Sequence, residues 1–332
     1  MLNPRRSWRV ILSLALALGL GMFSLRFLDI SFREIIKALS RFSPTFVISA
    51  LALLLCQNSA VILRYWILIP RKFKVGARDA GYAGALAQLA NGVLPARAGD
   101  ALKVVLLGRA GAWGTSLPMA AGAGVVTSEK IVDISSMALL AVLLKVHSVP
   151  NNLMPRISPW AIVLSFAAFS LVVLGITMRA RKNPAGKLAQ TASRFVDGMC
   201  GVFNPKTLVL GLVMGLIVWS SESVAVVLLS HSQGYPFSLA QAFFGLIVLN
   251  VLIAVPISVA NVGAYEASLA FGLNLVGMDT VAAIAVATAL HMLQLINISF
   301  IALVCVVSRR IALRRVHDGK KGFRTIASPA KG

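Results

Sequence analysis

The sequence predicts an all-α integral membrane protein, a polytopic helical bundle. The chain has 332 residues, of which 58% are hydrophobic and 13% are charged. A soluble domain has about 25% charged residues, so this chain has too few polar side chains to cover a surface in water. Several apolar runs are also long enough to cross a bilayer, which takes about 20 residues of helix. The bilayer is therefore the predicted solvent.

The charge balance predicts contact with lipid. Lys and Arg number 32 against 11 Asp and Glu, giving a formal net charge of +21. In a soluble protein this excess would indicate nucleic acid, but in a membrane protein it reports loop orientation and contact with anionic lipids. We therefore expect anionic membrane lipids as partners and no nucleic acid. Cys56, Cys200 and Cys305 lie in or beside apolar runs, and their spacing fits neither a metal site nor a disulfide framework.

Six apolar runs predict six spanning helices. The first follows a basic segment, but it is longer than the apolar core of a signal peptide and lacks a small-residue cleavage site, so it predicts a helix. The six predicted spans are 10–28, 44–63, 117–144, 160–178, 208–230 and 281–308. We expect them to form a single transmembrane domain, 1–308, followed by a basic cytoplasmic tail, 309–332.

Two further apolar stretches, 81–107 and 240–275, are broken by Pro, Gly and polar residues at membrane depth. Each predicts either a re-entrant hairpin or two short spans. Basic residues concentrate in alternate loops, which predicts cytoplasmic N- and C-termini. If the loops rich in Lys and Arg are cytoplasmic, each broken stretch must begin and end on the same side of the membrane. The first would do so on the cytoplasmic side and the second on the outer side. Two such elements that enter from opposite sides are typical of an inverted repeat. The two stretches share few residues in sequence, so the sequence does not decide whether a repeat is present.

Charged residues at membrane depth are the predicted functional residues, because a charge at a helix centre costs about 2.5–3.5 kcal/mol without a partner or a wet cavity. Glu129, Lys130 and Asp133 lie on one predicted helix, with the two acids one turn apart. A structural ion cluster near the start of that helix and a functional cluster look alike in sequence, and both interpretations stay open.

The two broken stretches carry the other candidates. Arg97, Asp100 and Lys103 lie in and after the first break, where an Arg suits a phosphate because its guanidinium can make two bonds to one anion. The alternative is that Arg97 reaches the cytoplasmic interface. In the second break, Gly263 allows a backbone turn, and Glu266 at a helix start would meet the positive end of the helix dipole. Helix capping or a buried pair with a basic residue would also explain Glu266.

Glu222 lies in the middle of a predicted span and, with Glu266, is a candidate for coupling to a proton or another ion. His291 and Asn297 lie deep in the last predicted span, where a lone His is more often structural. The motifs of metalloproteases, serine hydrolases and P-loop enzymes are absent. We therefore expect no enzymatic activity, no metal and no cofactor.

Three segments together resemble the flippase-like domain family, also described as the lysylphosphatidylglycerol synthase transmembrane region. NGVLPARAGD at 91–100 is similar to the family pattern N-x-x-L-P-x-R-x-G-[DE], and EKIVD at 129–133 is similar to E-[RK]-x-x-D. PISVANVGAYE at 256–266 is similar to P-x-S-x-G-G-x-G-x-x-E, with Ala260-Asn261 in place of the glycine pair.

The resemblance implies an inner-membrane protein that moves lipids between leaflets. Some relatives carry a fused soluble aminoacyl-transferase domain, and the short stretch after the last predicted span leads us to expect none here. The substrate-binding residues that the motifs and the charges near them suggest are Asn91, Pro95, Arg97, Gly99, Asp100, Lys103, Glu129, Lys130, Asp133, Pro256, Ser258, Gly263 and Glu266.

The predicted function is therefore a lipid flippase or transporter for an anionic or head-group-modified lipid, working by alternating access. In this hypothesis Arg97 and Lys103 attract the head-group phosphate, while Glu129, Asp133 and Glu266 hold the counter-charges. One alternative is a non-transporting accessory protein that binds anionic lipid through its basic loops and scaffolds lipid-synthesis enzymes. Another is a membrane-embedded enzyme that modifies lipids with the same carboxylates.

Overall fold

The computed structural model of the protein describes residues 32–93, 98–108, 117–146, 187–253 and 263–326, together with Val149 and Gly175. Within these ranges the chain is helical and contains no strand, so the predicted all-α membrane fold is confirmed. The predicted span 10–28 and all of the predicted span 160–178 except Gly175 lie outside the described residues.

The described residues form ten α-helices, which we number in chain order, and a short 3-10 helix at Arg71–Phe73. The helices are α1 (Phe32–Leu39), α2 (Pro44–Leu68), α3 (Ala77–Val93), α4 (Ala98–Gly108), α5 (Met119–Leu143), α6 (Lys187–Met199), α7 (Pro205–Ser232), α8 (Leu239–Leu252), α9 (Ala264–Leu275) and α10 (Thr280–Ile326).

Three of the described helices are long and apolar enough to cross a membrane. They are α2, α7 and the part of α10 at Thr280–Ile311, with 25, 28 and 32 residues. At 1.5 Å per residue each is longer than the hydrocarbon core of about 30 Å. The predicted span 117–144 corresponds to α5, which has 25 residues and carries three charged side chains. Since α10 continues to Ile326, most of the predicted tail is helical.

Local sequence signals mark where several of these helices begin. Pro44 and Pro205 occupy the first turns of α2 and α7. Proline lacks a backbone N–H, but at this position an N–H would have no partner within the helix. The Asn204 side chain accepts hydrogen bonds from the N–H groups of Lys206 and Thr207. Such residues determine where these helices begin, and packing between helices determines how they are arranged in the bundle.

Helices α2 and α7 pack antiparallel along their length and form the centre of the bundle. At one end the Ser43 N–H donates to the Ser232 hydroxyl at 3.4 Å. At the other end Gly201 lies so close to Leu68 that an added Cβ would be 2.0 Å from the Leu68 carbonyl oxygen. Between helices in a membrane, this packing depends on van der Waals contact of small residues, because lipid removes the hydrophobic driving force.

One end of the bundle collects basic side chains, and we call it the basic end. Lys72 pairs with Asp197 there, and the Arg309 guanidinium lies 4.2 Å from the centre of the Tyr82 ring and 4.0 Å from Asp79. These contacts bring together the loop after α2, the start of α3, helix α6 and the later part of α10. The basic residues at this end are Arg71, Lys72, Lys74, Arg78, Arg194, Lys206, Arg309 and Arg310.

The pair α3–α4 enters from the basic end and returns to it. Helix α3 begins there beside Arg309, and the chain after α4 leads to α5, whose start packs against α6. The pair α8–α9 begins just after Tyr235 and ends just before Asp279 at the opposite end, where the Tyr235 hydroxyl donates to the Asp279 carboxylate. Each broken stretch therefore begins and ends at one end of the bundle, and the two ends are opposite, as the sequence predicts; which end faces the cytoplasm stays a prediction.

The lengths of the short helices favour hairpins over pairs of complete spans. Helices α4, α8 and α9 have 11, 14 and 12 residues. At 1.5 Å per residue these are about 16, 21 and 18 Å long, shorter than the hydrocarbon core. We call α3–α4 the first hairpin and α8–α9 the second hairpin.

Glycine permits the close contact inside each hairpin. In the first hairpin, an added Cβ on Gly99 would lie 1.9 Å from the Ala87 carbonyl oxygen. In the second, an added Cβ on Gly272 would lie 2.9 Å from the Gly245 Cα. The two helices of each hairpin therefore touch backbone to backbone, as small residues allow in membrane bundles.

We predict that Gly99→Ala separates the two helices of the first hairpin and lowers the thermal stability of the purified protein. Overpacking of a tight contact costs about 1–3 kcal/mol. Gly76→Ala is the matched control, because an added Cβ there meets nothing within 4 Å. Melting followed by tryptophan fluorescence compares them. Equal melting temperatures for the two variants would contradict the close contact.

Asp279 caps α10 at the opposite end and gives a pH-dependent contribution to stability. Its carboxylate accepts from the Ala282 N–H at 3.0 Å and from the Tyr235 hydroxyl. Burial favours the neutral acid, but these hydrogen bonds outweigh it and hold the pKa of Asp279 below its ordinary value. A lowered pKa stabilises the folded state above the unfolded pKa of about 3.9, and the contribution disappears as the pH falls through the folded pKa.

We predict that Asp279→Ala destabilises the protein by about 1 kcal/mol near neutral pH, as expected for loss of a cap. The difference from the unaltered protein should shrink as the pH falls below about 4, because protonation removes the same interaction. Melting curves recorded from pH 7 to pH 3 test this. A difference that stays constant over that range would show that the ionised carboxylate is not what stabilises the helix start.

Candidate functional site

The described helices follow the same order twice, a long helix, a short hairpin and another long helix. The first unit is α2, α3, α4 and α5, and the second is α7, α8, α9 and α10. Because α2 and α7 are antiparallel and the hairpins enter from opposite ends, the two units run in opposite directions. The inverted repeat that the sequence left open is therefore present in the order and direction of these helices.

Three helices contribute to a group of charged residues around the first hairpin, which we call the first ionic cluster. The Lys103 ammonium of α4 donates to Glu129 of α5 at 2.6 Å, and both side chains are 4% exposed. The Lys103 ammonium also lies 4.6 Å from the centre of the Tyr65 ring, a cation–π contact. Asp100 of α4 pairs with Lys130 of α5 at 3.0 Å.

Arg64 connects α2 to the same cluster. Its guanidinium donates to Asp133 of α5 at 2.7 Å, and the Trp219 indole N–H of α7 donates to the Asp133 carbonyl oxygen at 3.3 Å. The cluster therefore contains three cations and three carboxylates. Every charge in it has a partner on another helix, as a low-dielectric environment requires.

The break in the first hairpin is organised by Asn91. Its side-chain oxygen accepts from the Gly99 N–H at 2.8 Å, and its amide lies 3.5 Å from Asp100. One side chain on α3 therefore caps the start of α4 across the break. Pro95 and Arg97 lie outside the described residues.

The second hairpin has its own polar group, which we call the second polar cluster. Glu266 of α9 accepts from the Gly263 N–H at 2.7 Å and contacts the His291 imidazole of α10 at 2.7 Å. Tyr265 stacks on the His291 ring, with 4.3 Å between ring centres. Gly263 has a φ of 82°, so the predicted backbone turn at this glycine is confirmed.

The two clusters occupy matching positions in the repeat. Asp100 and Glu266 are each the third residue of the second short helix. Their partners Lys130 and His291 are each the twelfth residue of the next long helix. In each unit, therefore, an acidic residue at the break of the hairpin pairs with a basic residue at the same position along the following long helix.

Between the clusters, Glu222 of α7 accepts two hydrogen bonds from amide side chains. The Gln57 amide of α2 donates at 3.0 Å and the Gln294 amide of α10 donates at 2.6 Å. We call these three residues the midplane triad, because each lies near the middle of a helix that is long enough to span. Glu222 is 6% exposed.

The predicted site residues divide into three groups. The structure brings seven of them together in and around the first ionic cluster, and it places Gly263 and Glu266 in the separate second polar cluster. Pro256 and Ser258, like Pro95 and Arg97, lie outside the described residues. The seven residues in the first cluster are Asn91, Gly99, Asp100, Lys103, Glu129, Lys130 and Asp133.

The geometry changes the role expected of Lys103. The sequence suggested that this ammonium attracts a head-group phosphate, but here it is buried against Tyr65 and its charge is matched by Glu129. The Lys130 side chain, 37% exposed, is the more accessible cation of the cluster. Glu266 also pairs with His291 instead of sharing a counter-charge network with Glu129 and Asp133.

Sequence reasoning missed the contributions of Arg64, Gln57, Tyr65 and Tyr265. Arg64 follows the predicted span 44–63 by one residue, so it does not stand out as a charge at membrane depth. A single signal could have found it, because a charge inside a helix that continues to Leu68 must have a partner at membrane depth. The aromatic and amide residues carry no comparable sequence signal.

A family model described as the lysylphosphatidylglycerol synthase TM region matches residues 10–302. The chain belongs to this family. It is therefore a multi-pass membrane protein linked to lipid handling, and the match covers both hairpins and every predicted site residue. No curated protein matches the chain in sequence.

We predict that the buried Lys103–Glu129 pair is much more sensitive to single substitutions than to a double substitution. Lys103→Met or Glu129→Gln alone leaves one buried charge without its partner, which costs about 3–5 kcal/mol. The double variant removes both charges and should recover most of that loss. Lys72→Met is the matched control, because its pair with Asp197 is exposed and contributes at most about 1 kcal/mol.

Unfolding free energies measured in bicelles for the four variants test this pair. Single-variant losses no larger than that of the Lys72 control, with additive effects in the double variant, would show that the buried pair does not hold α4 to α5.

Proposed function

We propose that this protein is a lipid transporter that moves an anionic or head-group-modified lipid between the two leaflets of the inner membrane by alternating access. The observation that supports this most is the pair of hairpins that enter from opposite ends. Each hairpin is attached to the following long helix by one acid–base contact at an equivalent position. Transporters with inverted repeats place their substrate sites where such broken helices meet.

The matched contacts suggest how the two halves alternate. Each contact is a single pair, Asp100 with Lys130 or Glu266 with His291, between a short hairpin and a long helix. Opening one pair loosens one hairpin at its break while the other hairpin keeps its contact, and in the first hairpin the Lys103–Glu129 pair still joins α4 to α5. Because the hairpins face opposite ends, alternate opening would expose the centre of the bundle first to one side of the membrane and then to the other.

The chemistry of the first pair suits a phosphate-bearing head group. Asp100 lies at the third position of α4, where its carboxylate interacts with the positive end of the helix dipole and with the Lys130 ammonium. A head-group phosphate offers the same charge to the same two partners. It would displace Asp100 from Lys130, so that substrate binding and opening of the hairpin are one event.

The surrounding charges favour a hydrated head group over a bare apolar molecule. The first ionic cluster is balanced by three cations and three carboxylates. An anionic head group that enters it can pair with Lys130 in place of Asp100, and the displaced carboxylate is then hydrated by water that enters with the head group. The lipid leaves chemically unchanged, so no enzymatic step, metal or cofactor is part of the proposal.

The orientation follows from the basic end. Cytoplasmic loops are enriched in Lys and Arg, so we place the basic end in the cytoplasm, with both termini on that side. Basic residues beside an anionic leaflet each contribute about 1 kcal/mol to its attraction, which would concentrate anionic lipids near the entry to the first hairpin.

Vesicles that contain the purified protein and fluorescent NBD-labelled phosphatidylglycerol test the proposal. Dithionite bleaches only the outer leaflet, so movement between leaflets appears as additional bleaching. We predict that Asp100→Asn and Glu266→Gln each slow this movement by about tenfold. Loss of an interhelical polar contact of about 1–2 kcal/mol lowers the population of the closed state to which each hairpin must return in every cycle, and this gives a rate change of that size. Asp197→Asn is the matched control, because it makes the same kind of change at a carboxylate outside both hairpins, and it should move lipid at the unaltered rate.

Each alternative function has a distinct outcome in the same vesicles. No lipid movement above that of protein-free vesicles, combined with binding that depends on Arg71, Lys72 and Lys74, would support an accessory protein that scaffolds lipid-synthesis enzymes. A change in the mass of the extracted lipid would support an enzyme that modifies lipids. Either result would overturn the transporter proposal.

A further inference from the structure

A buried carboxyl group lies where the three spanning helices meet. Glu222 of α7 is hydrogen-bonded to Gln57 near the middle of α2 and to Gln294 near the middle of the apolar part of α10. These are the three described helices that are long and apolar enough to cross a membrane. The midplane triad therefore lies far from water at either end of the bundle.

Glu222 has no cationic partner among the described residues. The nearby cations are already paired, Arg64 of α2 with Asp133 of α5 and His291 of α10 with Glu266 of α9, each at 2.7 Å.

The other neighbours of α7 supply no positive charge to this depth. Helix α8 contributes the Phe243 ring, which packs edge-on against Trp219 of α7. From α9, Tyr265 stacks on His291, which lies one helical turn before Gln294 on α10. Asp133 of α5 lies near the same level of α7, because its carbonyl oxygen accepts from the Trp219 indole N–H one turn before Glu222. An ionised Glu222 would therefore be a buried charge with amide donors as its only described stabilising contacts, and such carboxylates take up a proton instead.

Two buried polar atoms lack a hydrogen-bond partner, one in the midplane triad and one on the residue that stacks on His291. They are the Gln57 side-chain oxygen and the Tyr265 hydroxyl. Gln57 is 8% exposed and Tyr265 is 5% exposed. The Gln57 oxygen belongs to the same amide group whose nitrogen donates to Glu222, so an acceptor without a donor lies next to the carboxyl group. A protonated carboxyl has one O–H to donate, which an ionised carboxylate does not.

We propose that Glu222, held by Gln57 and Gln294, is a proton-binding site that couples movement of the two hairpins to a proton gradient. This inference rests on the proposed transport function and names its energy source. In the coupling step the O–H bond of the Glu222 carboxyl breaks, the electron pair stays on the carboxylate, and the proton passes to water that reaches the opened centre.

The position of the triad explains how one proton affects both hairpins. Asp133 contacts Trp219 of α7 one turn before Glu222, is held by Arg64 and belongs to the first ionic cluster. On the other side, Tyr265 stacks on His291, the partner of Glu266 in the second polar cluster. A negative charge on Glu222 would repel Asp133 and Glu266 and compete for their cations. Loss of the proton therefore loosens the contacts that hold the hairpins closed.

Infrared difference spectroscopy of the membrane-reconstituted protein tests the protonation directly, without any transport substrate. We expect the unaltered protein to show the C=O band of a buried protonated carboxyl at neutral pH, and Glu222→Gln to lack it. Asp197→Asn is the matched control, because it makes the same change at an exposed carboxylate and should keep the band. Absence of the band from the unaltered protein would overturn the proposal. Its loss on adding sodium at constant pH would do so as well, assigning the site to a metal cation.

The NBD-phosphatidylglycerol vesicles then test the coupling. With a pH gradient imposed, the unaltered protein and Asp197→Asn should move the lipid faster in one direction than in the other. Glu222→Gln should lose this dependence while still moving lipid. Gradient-independent movement in the unaltered protein would overturn the coupling and leave the transporter proposal intact. A Glu222 band without any lipid movement would contradict the transporter proposal and the coupling, and would leave a proton site of another purpose.

Discussion

A charged side chain inside a membrane is stable only when a partner on another helix, or trapped water, replaces its lost hydration. This constraint connects the fold to the site in this protein. Arg64 joins α2 to α5, Lys103 joins α4 to α5, and Glu266 joins α9 to α10. The contacts that hold the bundle together are therefore the same contacts that organise its centre, and a movement that opens the centre must exchange those partners.

The repeat gives these contacts a direction. Each unit attaches its hairpin to the next long helix with an acid–base pair at an equivalent position, and the two units run in opposite directions. The first hairpin has a second, buried pair between Lys103 and Glu129. The midplane triad lies between the two hairpins on the three spanning helices, so one residue, Glu222, is positioned to sense both sides.

Much of this architecture is predictable from physical rules that act locally. Composition predicts the membrane, Lys and Arg placement predicts that each hairpin returns to its own side, and Gly263 predicts a turn because glycine, without a Cβ, adopts a positive φ. Pairings between helices are harder. The partner of Glu266 is His291, on an adjacent helix with no spacing pattern that links them, and the partner of Asp133 is Arg64, far earlier in the chain. Such contacts depend on how helices pack, which a sequence pattern does not encode.

The most direct test of the opposed hairpins is labelling from each side of the membrane. Ala98→Cys lies at the start of α4 and Ala264→Cys at the start of α9, both at half-buried positions, in a background that lacks Cys56, Cys200 and Cys305. A membrane-impermeant maleimide should label Ala98→Cys from the cytoplasmic side and Ala264→Cys from the outer side. Labelling of both positions from the same side would contradict the inverted arrangement on which the transport mechanism depends.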